Sequence, residues 1–223
     1  MLVDLDPQHN LSNYLNHKDN EVTIAEAIKQ EMMFEKSYLS NLIRTYNKDL
    51  DYIPTSLNLS AVESGIYQAF SRETILKTIF ERLHIKEKYD YILIDSMPAL
   101  NLLLINTLTC ADSVLVPVEG SFGAFEGLEQ LFEYIKMIKQ RLNQNLSVEG
   151  IVFTKVSNTN ISKEVREKLI NDYGDLLYKA EIPERTEARK SYAERTPLND
   201  FKHSKLSVSY NLVSEELIEK VGK

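Results

Sequence analysis

Residues 89–98 read Tyr-Asp-Tyr-Ile-Leu-Ile-Asp-Ser-Met-Pro. Ile92, Leu93 and Ile94 follow two β-favouring tyrosines, which predicts a strand over 89–95, closed by Pro98. Apolar residues at successive positions predict a strand covered on both faces, as in a parallel sheet between helices. The run ends on Asp95. A carboxylate there loses part of its hydration and needs a partner, and three are chemically reasonable: a hydrated Mg²⁺ beside nucleotide phosphates, the start of a helix, or a lysine. Asp95 alone leaves these three open.

The same grammar recurs outward from this stretch. Leu2-Val3-Asp4-Leu5-Asp6 is apolar, β-branched and ends in acid, and it starts directly after Met1. Further strands are expected over 50–53 (closed by Pro54), 113–118 (with Pro117 at its end), 147–154 and 176–182 (closed by Pro183). Helical spacing of apolar residues predicts helices over 23–30, 73–83, 122–142, 162–173 (with Ser162 as N-cap) and 210–221. Alternation of this kind predicts a doubly wound, mostly parallel α/β sheet with helices on both faces, in one domain over 1–223. Ligands of such sheets bind at the carboxyl ends of the strands, where Asp4, Asp6 and Asp95 fall.

Composition narrows the function classes. The chain is 43% hydrophobic and 26% charged, which excludes collagen and low-complexity disorder. Its single cysteine excludes a disulfide framework and a multi-cysteine zinc site. Cys110 follows an apolar run and reads as a small core residue. Net charge is −7, so nucleic acid would have to meet a local basic patch. No apolar run approaches the ~20 residues of a bilayer span, and no signal peptide stands at the start. This reads as a cytoplasmic protein.

Three motifs together carry a resemblance. LVDLDPQ at 2–8, YDYILIDSMP at 89–98 and ADSVLVPVEGSFGAFEGL at 111–128 resemble the ParA/Soj-type partition ATPases of the deviant Walker (MinD/ParA) superfamily. The stretches LDYIPT at 50–55, IVFTK at 151–155, IPER at 182–185 and TPL at 196–198 extend it over essentially the whole sequence. The resemblance implies a P-loop NTPase-like fold, ATP and Mg²⁺ as cofactors, and phosphoric anhydride hydrolysis. It also implies an ATP-dependent homodimer that holds DNA without reading sequence, a ParB-type centromere-binding partner, and a place on the nucleoid. By resemblance, Asp6 orients the attacking water, Asp95 holds Mg²⁺ through water, and Asp4 is the neighbouring acid near the metal. The alternative for Asp4 is a strand-end acid with no direct ligand contact. Pro183 and Arg185 fall where the family meets base and ribose, although Glu184 departs from the residues expected there.

The family's phosphate loop, K-G-G-x-G-K-T/S, is not among these 223 residues. The only Gly-Lys pair is Gly222-Lys223. In the family this loop precedes LVDLDPQ by one helix, so the sequence reads as lacking the first strand–P-loop–helix unit, about 30–40 residues. Without the backbone amides and lysines that cradle phosphates, the chain alone is expected to bind ATP poorly. Without a central strand, the flanking strand edges would be left open. Beside the partition ATPase stand a non-catalytic DNA- or partner-binding relative and a gene remnant.

Two further segments attract attention. Residues 185–205 hold Arg185, Arg189, Lys190, Arg195, Lys202 and Lys205 against Glu187, Glu194 and Asp200. By resemblance, Arg189, Lys190 and Arg195 are DNA-phosphate candidates, and a solvated helix with i,i+4 pairs fits them equally. The last helix carries Glu215, Glu216 and Glu219, which oppose anionic lipid, so no membrane role is expected. Residues 31–49, with Phe34, Tyr38 and Tyr46, read as ordinary helix packing or as a partner surface.

Overall fold

Val3 and Leu5 alternate with Leu2 and Asp4, and both lose all contact with water in β1 (Leu2–Leu5). Each such burial is worth about 1.5–3 kcal/mol. This computed structural model describes residues 1–17, 22–35 and 39–222. The chain divides into two compact units, Met1–Ala111 and Asp112–Lys223, each described by itself.

In the first unit β1 leads through α1 (Asn10–Tyr14) to α2 (Ile24–Met32). The α2 start is a capping box: the Thr23 side chain accepts from Ala25 N, and Glu26 reaches back to Thr23 N at 2.9 Å. Ile24, Ala25, Ala27 and Ile28 form its buried face. A hairpin of β2 (Arg44–Asn47) and β3 (Leu50–Ile53) follows, then α3 (Asn58–Ile66) and α4 (Ile75–Leu83). The α4 stripe Ile75, Leu76, Ile79, Phe80 and Leu83 is buried, and the helix stops at His84 in the left-handed region. β4 (Leu93–Ser96) and α5 (Leu102–Cys110) complete the unit. The sheet order is β2-β3-β1-β4, with β1 parallel to both neighbours and β2 antiparallel to β3.

Two expectations change here. The strand expected over 89–95 begins only at Leu93, because its ladder partner β1 begins at Leu2. Nor is it covered on both faces: Leu93 is 52% exposed. Residues 31–49 do not pack as a helix. Past Met32 they form a 3-10 turn (Leu39–Asn41) and β2, with Phe34 71% exposed and Tyr46 exposed. Tyr38 lies outside the described residues.

α5 was not legible as a helix, since every residue but Ile105 is buried and no polar face marks a period. Buried Asn106 ties it down: its amide donates to Arg72 O (2.7 Å) and Leu102 O (2.8 Å), and its oxygen accepts from Leu76 N (3.1 Å). Cys110 is buried, as its apolar surroundings predicted.

The second unit holds β5 (Ser113–Glu119), α6 (Phe122–Arg141), β6 (Ser147–Val156), α7 (Asn160–Tyr173), β7 (Ile182–Pro183), α8 (Thr186–Glu194) and α9 (Lys205–Val221). Its sheet is parallel, in the order β5-β6-β7. The α6 stripe buries Phe125, Leu128, Ile135 and Ile138. Pro117 lies inside β5, opposite Val152, rather than at its end. β5 has β6 as its sole neighbour among the described strands, so the missing N–H interrupts no second ladder. The strand expected over 176–182 shrinks to a bridge at Leu177 and the two residues of β7. The N-cap of α7 is Thr159, whose side chain accepts from Ser162 N. Ser162 is instead buried against Gly120, where a Cβ would come within 2.7 Å of the Ser162 hydroxyl. Both sheets carry helices, so the α/β class with mainly parallel strands holds.

Candidate active site

The parallel register of β1 and β4 sets Leu2 against Leu93, Val3 against Ile94, Asp4 against Asp95 and Leu5 against Ser96. Two acids from sequence positions 91 residues apart thus become register partners at the carboxyl end of one sheet. Asp6 follows one residue past the end of β1. The loop holding it is tightly bonded: Asp6 Oδ1 accepts from Gln8 N at 2.9 Å, and Asp6 O accepts from His9 N at 2.8 Å. His9 takes φ 47° and ψ 34°, a left-handed conformation that turns the chain into α1.

The three carboxylates are not equivalent. Asp4 is 1% exposed. Its Oδ2 accepts from both Ser12 N and Ser12 Oγ, each at 2.7 Å, and its Oδ1 accepts from Asp6 N at 3.2 Å. Desolvation raises its pKa from the usual aspartate value, opposed by the Ser12 and Asp6 hydrogen bonds and reinforced by the Asp6 charge. Asp95 is exposed. Its pKa is also raised, by desolvation first and then by the charges of Asp4 and Asp6. Mutual repulsion of this kind is what a bound cation relieves.

The donor set fits Mg²⁺, since carboxylate oxygens are hard ligands. Among the described residues no three His, Cys, Asp or Glu side chains converge enough to hold a metal by themselves. A Mg²⁺ here would therefore complete its shell with water and phosphate oxygens. The phosphate cradle is a different matter, because the 223 residues contain no Walker A sequence to supply it.

Sequence reasoning missed Ser12 and Thr55. Ser12 Oγ also accepts from Thr55 N at 2.8 Å, joining α1 to the loop after β3 across 43 positions. No periodicity or motif marks such a bond. The Thr55 hydroxyl itself is buried with no partner.

The remaining predicted residues lie in the second unit. Pro183 ends β7 and Arg185 occupies the N-cap position of α8 in extended conformation. Arg189 and Lys190 are exposed on α8, and Arg195 closes it in the left-handed region. Arg189 lies 3.9 Å from Glu184. Lys190 lies 3.9 Å from Glu194, an i,i+4 pair, with its ammonium 5.1 Å from the Phe201 ring centroid. At the carboxyl ends of β5 and β6, Glu119 and Lys155 form an ion pair.

Comparison with known proteins identifies the family. The AAA_31 family profile, an AAA domain, matches residues 1–148. The sporulation initiation inhibitor protein Soj of Bacillus subtilis is 33% identical over 200 residues, covering 89% of this chain and 77% of its own. The chromosome partitioning protein ParA of Caulobacter vibrioides is 32% identical over 225 residues, covering 99% and 82%. Among solved structures, cobyrinic acid a,c-diamide synthase from Mycobacterium smegmatis, with bound ATP analogue and magnesium, aligns at a TM-score of 0.77. That alignment has 25% identity and covers 100% of this chain and 83% of that one. Relatives above 30% identity over nearly the whole chain lead to one assignment: the chain belongs to the ParA/Soj family of partition ATPases.

Proposed function

We propose that this chain serves DNA partitioning as a ParA-type ATPase, both units contributing to one nucleotide-hydrolase domain. The observation that carries the reading is the Asp4–Asp95 register pair with Asp6 beside it. Bound Mg²⁺ supplies charge neutralisation for the phosphates. Asp95 would hold its water shell, and Asp6 would orient the attacking water from a loop already fixed by Gln8 N and His9 N. Pro183 and Arg185 would meet base and ribose. Arg189, Lys190 and Arg195 would hold DNA phosphates in an ATP-dependent homodimer, with a ParB-type protein stimulating hydrolysis. No helix among the described residues is long and apolar enough to cross a membrane.

The phosphate-binding amides and lysines of the family are not encoded in these residues, so we infer that the chain by itself binds ATP weakly. Calorimetry with Mg-ATP tests this. No heat from the chain, and saturable binding once a segment carrying K-G-G-x-G-K-T/S is supplied, supports the reading. Saturable binding by the 223 residues alone, unaffected by Asp95→Ala, overturns the site assignment. A second reading, a non-catalytic DNA- or partner-binding relative, draws on the exposed Arg189 and Lys190 of α8. Salt-sensitive DNA binding with no nucleotide response under any of these conditions would favour it.

A further inference from the structure

The hydrogen bonds around Asp4 run in a definite order. Thr55 N donates to Ser12 Oγ (2.8 Å), Ser12 Oγ and N donate to Asp4 Oδ2 (2.7 Å each), and Asp6 N donates to Asp4 Oδ1 (3.2 Å). Ser12 and Asp4 are 2% and 1% exposed. A single hydroxyl on α1 thus ties the loop after β3 to Asp4, whose other oxygen accepts from Asp6 N. Four residues share one buried polar chain, and each bond in it draws its geometry from the next.

From this we propose that Ser12 is a positioning residue and Asp4 its relay, rather than a metal acid. With Oδ2 occupied by two donors and Oδ1 by a third, Asp4 commits three of its about four acceptor sites inside the protein. That leaves Asp6 and Asp95 as the carboxylates facing a ligand. Ser12 holds Asp6 in place by fixing Asp4, and Thr55 N fixes Ser12. The Thr55 side chain takes no part, since its hydroxyl has no partner. The relevance to catalysis rests on the acidic-site reading above, whereas the linkage itself does not.

Native-state amide hydrogen exchange on the full chain tests it without nucleotide, comparing Asp6, Thr55 and two core amides, Ile53 and Ile79. Ser12→Ala is expected to speed exchange at both Asp6 and Thr55, on the order of tenfold relative to the core amides. Asp4→Asn keeps an acceptor for Ser12 but replaces the acceptor of Asp6 N. It is expected to speed Asp6 alone, and this second variant keeps the test alive should Ser12→Ala fold poorly. Ser12→Thr, which retains the hydroxyl, should restore Asp6 protection. Acceleration of Thr55 without Asp6 in Ser12→Ala overturns the proposal, as does equal acceleration of all four amides in both variants. Saturable Mg-ATP binding that Asp95→Ala leaves unaffected would count against the acidic-site reading and leave this result standing.

Discussion

Asp4 and Asp95 stand opposite each other across β1 and β4, one buried and hydrogen-bonded, the other open to solvent and repelled by its neighbours. The asymmetry follows from position. Asp4 lies on a strand flanked on both sides, while Asp95 lies on the outer strand of the described sheet. An acid cluster of this kind costs stability until a cation joins it, and the cost can be measured.

Asp95→Asn should stabilise the chain at neutral pH. Because the folded-state pKa of Asp95 is raised above its ordinary 3.8, the folded state holds the proton more tightly than the unfolded one. The carboxylate therefore destabilises the fold above its folded pKa, and this penalty fades as pH falls toward 3.8. The gain is small, a few tenths of a kcal/mol, since the group is solvent-screened. Urea unfolding at pH 7 and pH 4.5 checks it: the advantage over wild type should shrink at the lower pH.

His9→Gly should stabilise by about 0.5–1 kcal/mol. His9 holds φ 47°, which costs a residue with a Cβ roughly 1–2 kcal/mol, offset in part by glycine's greater chain entropy. A rise in Tm by differential scanning calorimetry is the expected result.

Asn106→Ala should cost about 2–3 kcal/mol. Its side chain makes two hydrogen bonds from α5 to the entry of α4, with Leu76 N and Arg72 O, and a third to Leu102 O within α5; truncation strands the buried Leu76 N. A lower urea midpoint with an unchanged m-value would show it.

Leu93→Lys should reduce self-association. Leu93 is an exposed apolar residue on a strand with one ladder partner, the arrangement that templates edge-to-edge pairing. Static light scattering at rising concentration should show less aggregate for the variant at equal Tm.

Under the proposed function, Arg189→Ala with Lys190→Ala should weaken duplex binding uniformly across sequences. Loss of two phosphate contacts lowers the slope of log affinity against log salt by about 1.8. Gel-shift titrations at several salt concentrations read the slope directly.

The amphipathic helices were legible because one polar face gives them a period: α4 and α6 lie within two residues of their expected bounds. Elements without such contrast were not. α5 is buried on all sides, α3 follows a turn with no capping side chain, and β4 is shorter than its apolar run. The N-cap of α7 moved by three residues because Thr159 and Ser162 are chemically alike as caps, and only the approach of Gly120 buries one of them.

For the site, local chemistry determined that acids would end two apolar strands, because hydropathy and residue type along a strand are properties of the chain itself. Tertiary structure alone decided their inequality. Strand register set Asp4 across from Asp95, and a hydroxyl from α1 bonded to an amide 43 positions away made one carboxylate structural and left the other open. Register and long-range hydrogen bonds depend on which backbones meet, and that is settled only when the whole core packs.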